Sequence, residues 1–322
     1  MRITQNMLQS KYIRNLNANL RQLDYLNDQS VTGRKFFKPS EAPASAMRAY
    51  AVRRDVDYLE QYMTNLDNIQ GIIDETESAV TAIKDILQDA RVLMLDGRNG
   101  TKTATEREMI GDQILRLRDQ ILLCANTKAA GTYILGGSNT LTPPFTLDDN
   151  GNILYNGLDM QDPATYTNEK IFYDLGMGLS FDNGVLNENS AISVIVPGDV
   201  ILGVGENADG ISNNIYNLLT GIGNAFKDND MTQFDAFLSQ MDKKENDCLK
   251  TIATVGQNSN FCEFLQTRYS NDLLLAQERM NTVEFMDPAE AITYYKMQEM
   301  AYKAALQMGQ RILQPSLLDF MR

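Results

Sequence analysis

Apolar residues recur at alternating steps of four and three along one long stretch, at Phe234, Leu238, Met241, Cys248, Ile252, Val255, Cys262, Tyr269, Leu273, Ala276, Met280 and Val283. Only Glu245, Ser259 and Gln266 interrupt the series. At 1.5 Å per residue this is a helix with one apolar seam roughly 75 Å long, and a seam of that kind must lie against another helix of similar length. Gly256 falls inside it and marks a candidate bend.

The N-terminal arm supplies a partner. Val52, Val56, Leu59, Met63, Leu66, Ile69, Ile73, Val80, Ile83, Leu87, Ala90 and Met94 form a second seam, with a stammer at 63–66–69 that overwinds the helix locally without ending it. A third helix is expected after Thr103-Ala104-Thr105-Glu106, a capping-box pattern, followed by Ile110, Ile114, Leu117, Ile121 and Cys124. No proline falls in 44–142 or 198–287, so both arms are free of the residue that breaks helices.

The middle differs. Residues 131–210 hold 12 of the 21 glycines and 11 acidic residues against one basic residue, Lys170. Phe145-Thr146-Leu147 and Ile153-Leu154-Tyr155 flank the turn cluster Asp148-Asp149-Asn150-Gly151, and Ser193-Val194-Ile195-Val196 reads as another strand. The fold class expected is mainly α, a long antiparallel helical bundle or coiled-coil rod with a small inserted antiparallel β domain. The domains expected are an N-terminal assembly helix in 1–44, a helical rod from 45–137 and 211–284, the insert at 138–210, and a C-terminal assembly helix in 285–322.

Both ends carry apolar surface beyond what a rod can cover. Ile13, Leu16, Leu20 and Leu23 form one stripe. The helix expected over 288–314, with Pro288 in its first turn, has apolar residues on most sides, among them Ile292, Tyr295, Tyr302, Leu306, Ile312 and Leu313. Such helices need neighbours, so these residues are candidates for an assembly interface.

Charge and composition exclude several functions. Lys and Arg number 29 against 42 Asp and Glu, a net −13 that disfavours nucleic acid and anionic membrane surfaces as partners. The absence of histidine removes the commonest general base and metal ligand. Cys124, Cys248 and Cys262 are odd in number and lack C-x-x-C spacing, so neither a disulfide scaffold nor a zinc site is expected. No apolar run approaches the ~20 residues of a membrane span, and Met1-Arg2-Ile3-Thr4-Gln5-Asn6 lacks a signal-peptide core. No catalytic residue, cofactor or metal is assigned.

Gly203-Val204-Gly205-Glu206-Asn207-Ala208 has the form of a dinucleotide fingerprint, with Asp228 farther on. A nucleotide-binding enzyme is therefore a distant alternative. The segment 211–283, read as helical throughout, leaves no parallel strand to complete a βαβ unit, so a turn is the preferred reading. Asp148-Asp149-Asn150-Gly151-Asn152 lacks the spacing of a calcium loop and is read as a hairpin turn. Gly136-Gly137-Ser138 lacks the lysine of a phosphate loop and is read as a break. The methionines and the tyrosines of 294–302 are read as packing, and Arg53, Arg54, Arg116 and Arg118 as solvated faces.

Pro39-Ser40-Glu41-Ala42-Pro43-Ala44, preceded by Thr32-Gly33-Arg34, together with Asp287-Pro288-Ala289-Glu290-Ala291-Ile292 and the ending Gln314-Pro315-Ser316-Leu317-Leu318-Asp319-Phe320, resembles the flagellar hook-filament junction proteins, the hook-associated protein 3 (FlgL) family within the wider flagellin family. The resemblance covers roughly 1–137 and 211–322. It implies a non-enzymatic structural subunit joining hook to filament, exported by the flagellar type III apparatus without a cleaved signal and located on the extracellular flagellum. The implied partners are other copies of the chain in a ring, the second hook-associated junction protein, flagellin and an export chaperone. It also implies terminal segments that are disordered in the free monomer and pair on assembly, which adds Leu317, Leu318 and Phe320 to the candidate interface. A short flagellin is the near alternative.

Overall fold

In the computed structural model, residues 5–312 are described apart from 130, 149–150, 162–171, 177, 179, 183–184, 187–191, 194–195 and 208–209. The expected fold class holds. The helices are α1 (Gln5–Thr32), α2 (Pro43–Gly97), α3 (Ala104–Ala125), α4 (Gly198–Leu202), α5 (Ile215–Lys227), α6 (Phe234–Glu284) and α7 (Pro288–Ile312). The chain divides into two compact units, one of Met1–Glu60 with Asn271–Arg322 and the other of Gln61–Ser270.

In the unit Gln61–Ser270, α2 and α6 run antiparallel. No position of either expected seam is exposed there, and Leu66, Ile69, Ile73, Val80, Ile83, Leu87, Met94, Cys248, Val255 and Cys262 are almost wholly buried. The three polar residues that break the α6 series each meet a polar residue of α2. Glu245 accepts from Gln88 Nε2 at 2.6 Å, Ser259 Oγ accepts from Gln70 Nε2 at 2.9 Å, and Gln266 Nε2 donates to Asp67 Oδ1 at 2.5 Å. Polar partners at defined heights of an otherwise apolar seam select one register. Thr76, buried in the gap between Ile73 and Val80, returns its hydroxyl to the Ile72 carbonyl of its own helix.

The expected capping box starts α3: Thr103 accepts from the Glu106 N–H, and Glu106 accepts from the Thr103 N–H. Helix α5 packs across α3 where two glycines meet. A Cβ on Gly111 would come within 2.7 Å of the Gly223 carbonyl, and one on Gly223 within 2.8 Å of Leu115. Arg118, read from sequence as a solvated face, lies over the Tyr216 ring.

The expectation that 211–283 is helical throughout does not hold, because two helices are separated by a turn. Asn214 caps α5 by accepting from the N–H groups of Tyr216 and Asn217, and the chain turns at Asp228-Asn229-Asp230 before α6. Asn229 adopts φ +56°, and Asp230 accepts from the Thr232 N–H and hydroxyl, so short polar side chains end one helix and launch the next.

The middle segment forms small antiparallel sheets: β1 (Lys128–Ala129) with β2 (Thr132–Tyr133), the meander β3 (Phe145–Leu147), β4 (Ile153–Tyr155) and β5 (Leu158–Asp159), β6 (Phe172–Tyr173) with β9 (Ile192–Ser193), and β7 (Phe181–Asp182) with β8 (Val185–Leu186). Phe145 pairs with Tyr155 in the expected hairpin, and Asp148 accepts from the Asn152 N–H across its turn. Asn156 (φ +50°) and Gly157 (φ +83°) make the tight turn into β5. Of the strand expected at 193–196, Ser193 belongs to β9 and Val196 lies outside it, while 194–195 fall outside the described residues. The segment differs in composition from the arms, and several of its described residues pack with them. Phe145, Ile153, Met160, Ile201 and Leu202 join one buried cluster with residues of α2, α3, α5 and α6.

Residues 203–207 of the glycine motif sit inside this packing, and Ala208 lies outside the described residues. Gly205 N–H donates to the Met160 carbonyl, Gly203 N–H to the Asp199 carbonyl, and Asn207 N–H to the Ile211 carbonyl. Backbone groups that a phosphate would need are already engaged, and the segment after the motif leads to α5 with no parallel strand. Gly223→Val is expected to destabilise the fold by about 1–3 kcal/mol, because helix α5 must move off α3. Gly256→Ala, whose Cβ would meet nothing within 4 Å on α6, is expected to stabilise it by about 0.5–1 kcal/mol. Urea unfolding monitored by circular dichroism measures both.

Candidate assembly surface

Helices α1 and α7 pack against each other in the unit Met1–Glu60 with Asn271–Arg322. The shielded positions include one series on α1, Tyr12, Leu16, Asn19, Leu23, Leu26 and Ser30, and one on α7, Ala291, Tyr295, Gln298, Tyr302, Ala305 and Gly309. Both series step by four and three. The helices run antiparallel, since Tyr12 Oη donates to the Ala305 carbonyl at 2.9 Å and Gln298 Nε2 to the Asn19 carbonyl at 3.3 Å. Gly309 is required here: a Cβ would strike the Tyr12 ring and hydroxyl.

This pairing divides the candidate interface. Leu16, Leu23, Tyr295 and Tyr302 turn into the seam within one chain. Ile13, Leu20, Ile292 and Leu306 stay 50%, 47%, 50% and 43% exposed. They are joined on the open faces by Met297, Met300 and Met308, which sequence reasoning assigned to packing. The side chain of Ile312, and Leu313, Leu317, Leu318 and Phe320, lie outside the described residues. Tyr12, Asn19 and Leu26 were missed although they repeat at sevens; the polar Asn19 hides the period. One helix can cover only one face of another, so a helix apolar on most sides keeps uncovered surface even when paired. The single chain nevertheless forms the terminal pair that the resemblance reserves for assembly.

Two of the motifs that carry the resemblance start helices, and their connectors are stitched together; the ending 314–320 lies outside the described residues. Pro43 and Pro288 are the first residues of α2 and α7, where a missing N–H costs nothing. Asp287 accepts from the Ala289 N–H at 2.8 Å. Lys35 N–H donates to the Glu284 carbonyl and Met286 N–H to the Gly33 carbonyl, while Lys35 Nζ reaches the Thr282 carbonyl at 2.6 Å. Gly33 allows the turn at φ +70°. Gln29 Nε2 ties the Lys35 carbonyl back to α1 at 2.6 Å.

Two carboxylates hold this connector. Glu284, 5% exposed, receives a two-pronged contact from Arg53 at 2.5 Å on each prong. Arg53 is thus a paired side chain, where sequence suggested a solvated one. Glu41 Oε2 accepts from the Phe37 N–H at 2.9 Å, the Lys38 N–H at 3.4 Å and Tyr25 Oη at 3.1 Å. The Phe37 backbone bond, first among several, holds the Glu41 carboxyl below its ordinary value of 4.5, while burial, followed by the Glu41 contact, pushes the Tyr25 hydroxyl up. On α7, Glu299 bonds Lys303 and Lys296 and its carboxyl is lowered to about 2, the Lys303 bond being the largest cause. Among the described residues no group of three His, Cys, Asp or Glu side chains could hold a metal, and no helix is long and apolar enough to cross a membrane.

The comparisons with known proteins agree with this architecture. Residues 3–140 match the family model of the bacterial flagellin N-terminal helical region. The chain is 26% identical over 147 residues to flagellar hook-associated protein 3 of Escherichia coli (strain K12), a match covering 45% of this chain and 46% of that protein. It is 27% identical over 139 residues to a flagellin of Clostridium tyrobutyricum, covering 43% of this chain and 37% of the flagellin. The chain thus aligns with less than half the length of each of these relatives. The fold is similar to that of hook-associated protein 3 (HAP-3) from Legionella pneumophila, with a TM-score of 0.58 at 13% identity over 73% of this chain and 98% of that one. The N-terminal region of the chain is thus similar to that of bacterial flagellins, and the fold is similar to that of a hook-associated protein.

The folded chain favours ionised Glu41, so the unfolded chain takes up the proton first as pH drops. The stability this carboxylate contributes is present above pH 4.5 and is lost as pH falls through its lower folded value. Glu41→Gln is expected to flatten the acid side of the stability curve, measured by urea unfolding between pH 3 and pH 7.

Proposed function

We propose that the chain is a structural subunit of the bacterial flagellum that joins hook to filament. The observation that carries this reading is a flagellin-type N-terminal region whose α1 pairs with α7 on one face while the other faces keep half-exposed Ile13, Leu20, Ile292 and Leu306. Covering a large apolar side chain contributes about 1.5–3 kcal/mol, so repeated contacts of this kind suffice to hold a subunit among neighbours. The exposed faces meet those neighbours, and the apolar residues of the ending, Ile312, Leu313, Leu317, Leu318 and Phe320, add to the contact. Leu16, Leu23, Tyr295 and Tyr302 keep the two helices together.

The neighbours are other copies of the chain in a ring, the second hook-associated junction protein on the hook side and flagellin on the filament side. An export chaperone covers the same apolar surface before assembly, and the chain leaves through the flagellar type III apparatus without a cleaved signal. The subunit performs no chemistry and binds neither nucleic acid nor membrane. A short flagellin is the second reading, favoured by the match to the Clostridium tyrobutyricum flagellin. Immunogold labelling of purified flagella separates the two: a junction subunit gives one band at the hook-filament boundary, and a flagellin labels the whole filament.

Leu20→Asp and Leu306→Asp are expected to change monomer stability by no more than about 0.5 kcal/mol, as exposed substitutions do. Each should abolish the band, since a carboxylate pressed into an apolar contact without a partner costs several kcal/mol. Cells carrying either variant should release flagellin into the medium. Leu16→Asp should instead weaken the α1–α7 pair in the monomer itself, seen as lost helix in circular dichroism. Normal incorporation of the Leu20 and Leu306 variants would reject the assembly surface.

A further inference from the structure

The α2–α6 seam is buried along its length, but its main cluster reaches only Ala79–Met94 of α2 and Phe234–Cys248 of α6, where α3, α5 and the β meander surround it. Leu66, Ile69, Ile73, Val255, Cys262, Leu265 and Tyr269 are buried outside that cluster. At this end a different element supplies cover. Asp174–Gly176, which follows β6 and is braced by the β6–β9 pair, crosses both helices. Asn65 Nδ2 donates to the Asp174 carbonyl at 3.2 Å, and Tyr269 Oη donates to the Leu175 carbonyl. Gly176, at φ +78°, sits so close to Tyr62 that a Cβ would strike its ring, and Tyr62 in turn stacks on Tyr269 with centroids 6.0 Å apart. Leu175, between these anchors, is 1% exposed.

We propose that Asp174–Gly176 is a strap that closes the α2–α6 pair at Tyr62 and Tyr269, its end within the unit Gln61–Ser270, so that this end opens and closes as a local unit separate from the main cluster. Each helix contributes one anchor, Asn65 from α2 and Tyr269 from α6, and both donate to backbone carbonyls. The strap therefore recognises the pair of helices in register through its main-chain carbonyls. The stretch of a seam beyond its main cluster is where sub-global opening occurs, and a small element covering that stretch sets its free energy. The strap belongs wholly to the unit Gln61–Ser270 and does not depend on the flagellar assignment.

The test is native-state hydrogen exchange on the full chain, read by mass spectrometry in peptides covering 61–70 and 262–270 against peptides covering 80–94 and 241–248. Tyr269→Phe, which strips the Leu175 carbonyl of its donor, and Leu175→Ala are each expected to speed exchange at the Tyr62–Tyr269 end by roughly tenfold or more while leaving the second set unchanged. Leu158→Ala, an exposed position of the meander, should change neither set. Unchanged exchange at the Tyr62–Tyr269 end in the two strap variants would overturn the proposal. So would an equal rise in both sets of peptides, or global unfolding of the Tyr269→Phe variant, because the strap would then be part of one cooperative core.

Discussion

The structure rests on a zipper between two helices whose apolar seam is broken at three heights by polar residues, each answered across the interface. Apolar heptads alone would bury equally well after a slip of seven residues. The pairs Glu245–Gln88, Ser259–Gln70 and Gln266–Asp67 would not, since a slip leaves a charge or an amide facing a leucine or isoleucine. Register chosen in this way places Asn65 and Tyr269 at one height, where the strap finds them, and sets the level at which α3, α5 and the meander share a core with α2 and α6.

At the other unit the same physics is used differently. The α1–α7 seam alternates large and small residues, with Tyr12 filling the space that Gly309 and Ala305 leave. Close approach of the backbones and two hydrogen bonds to main-chain carbonyls hold the pair, and the bulky apolar residues sit beside it, uncovered. Burial within the chain and availability to neighbours are therefore separate properties of adjacent residues on one helix. The connectors gain their order from carboxylates: Glu284 from the Arg53 fork, and Glu41 from two backbone N–H groups and a tyrosine hydroxyl.

The seams of α2 and α6, the capping box at Thr103 and the hairpin at Phe145–Tyr155 were legible because each is a short-range rule written in neighbouring residues. The turn at Asp228–Asp230 was not, because three polar residues fit equally well on the exposed side of a continuing helix until Asn229 takes a left-handed conformation. At the candidate surface the stripe Ile13, Leu16, Leu20, Leu23 was visible, but its division was not. Which half faces α7 is decided by how Tyr12 fits Gly309, some three hundred residues away. Leu175 gave no signal at all, since an element that contributes one buried side chain has no period.

The long zipper also bears on how quickly the chain can fold. Gln88 and Glu245 are 157 positions apart, and Asp67 and Gln266 are 199 apart. Closing loops of that size costs entropy before a single rung is formed, and the pairings between the two arms are slow to form for that reason. Each arm can coil by itself within microseconds, yet neither gains its seam until the intervening segment has been gathered. A newly made chain thus has an interval in which it is helical in patches and globally open, with both seams still bare.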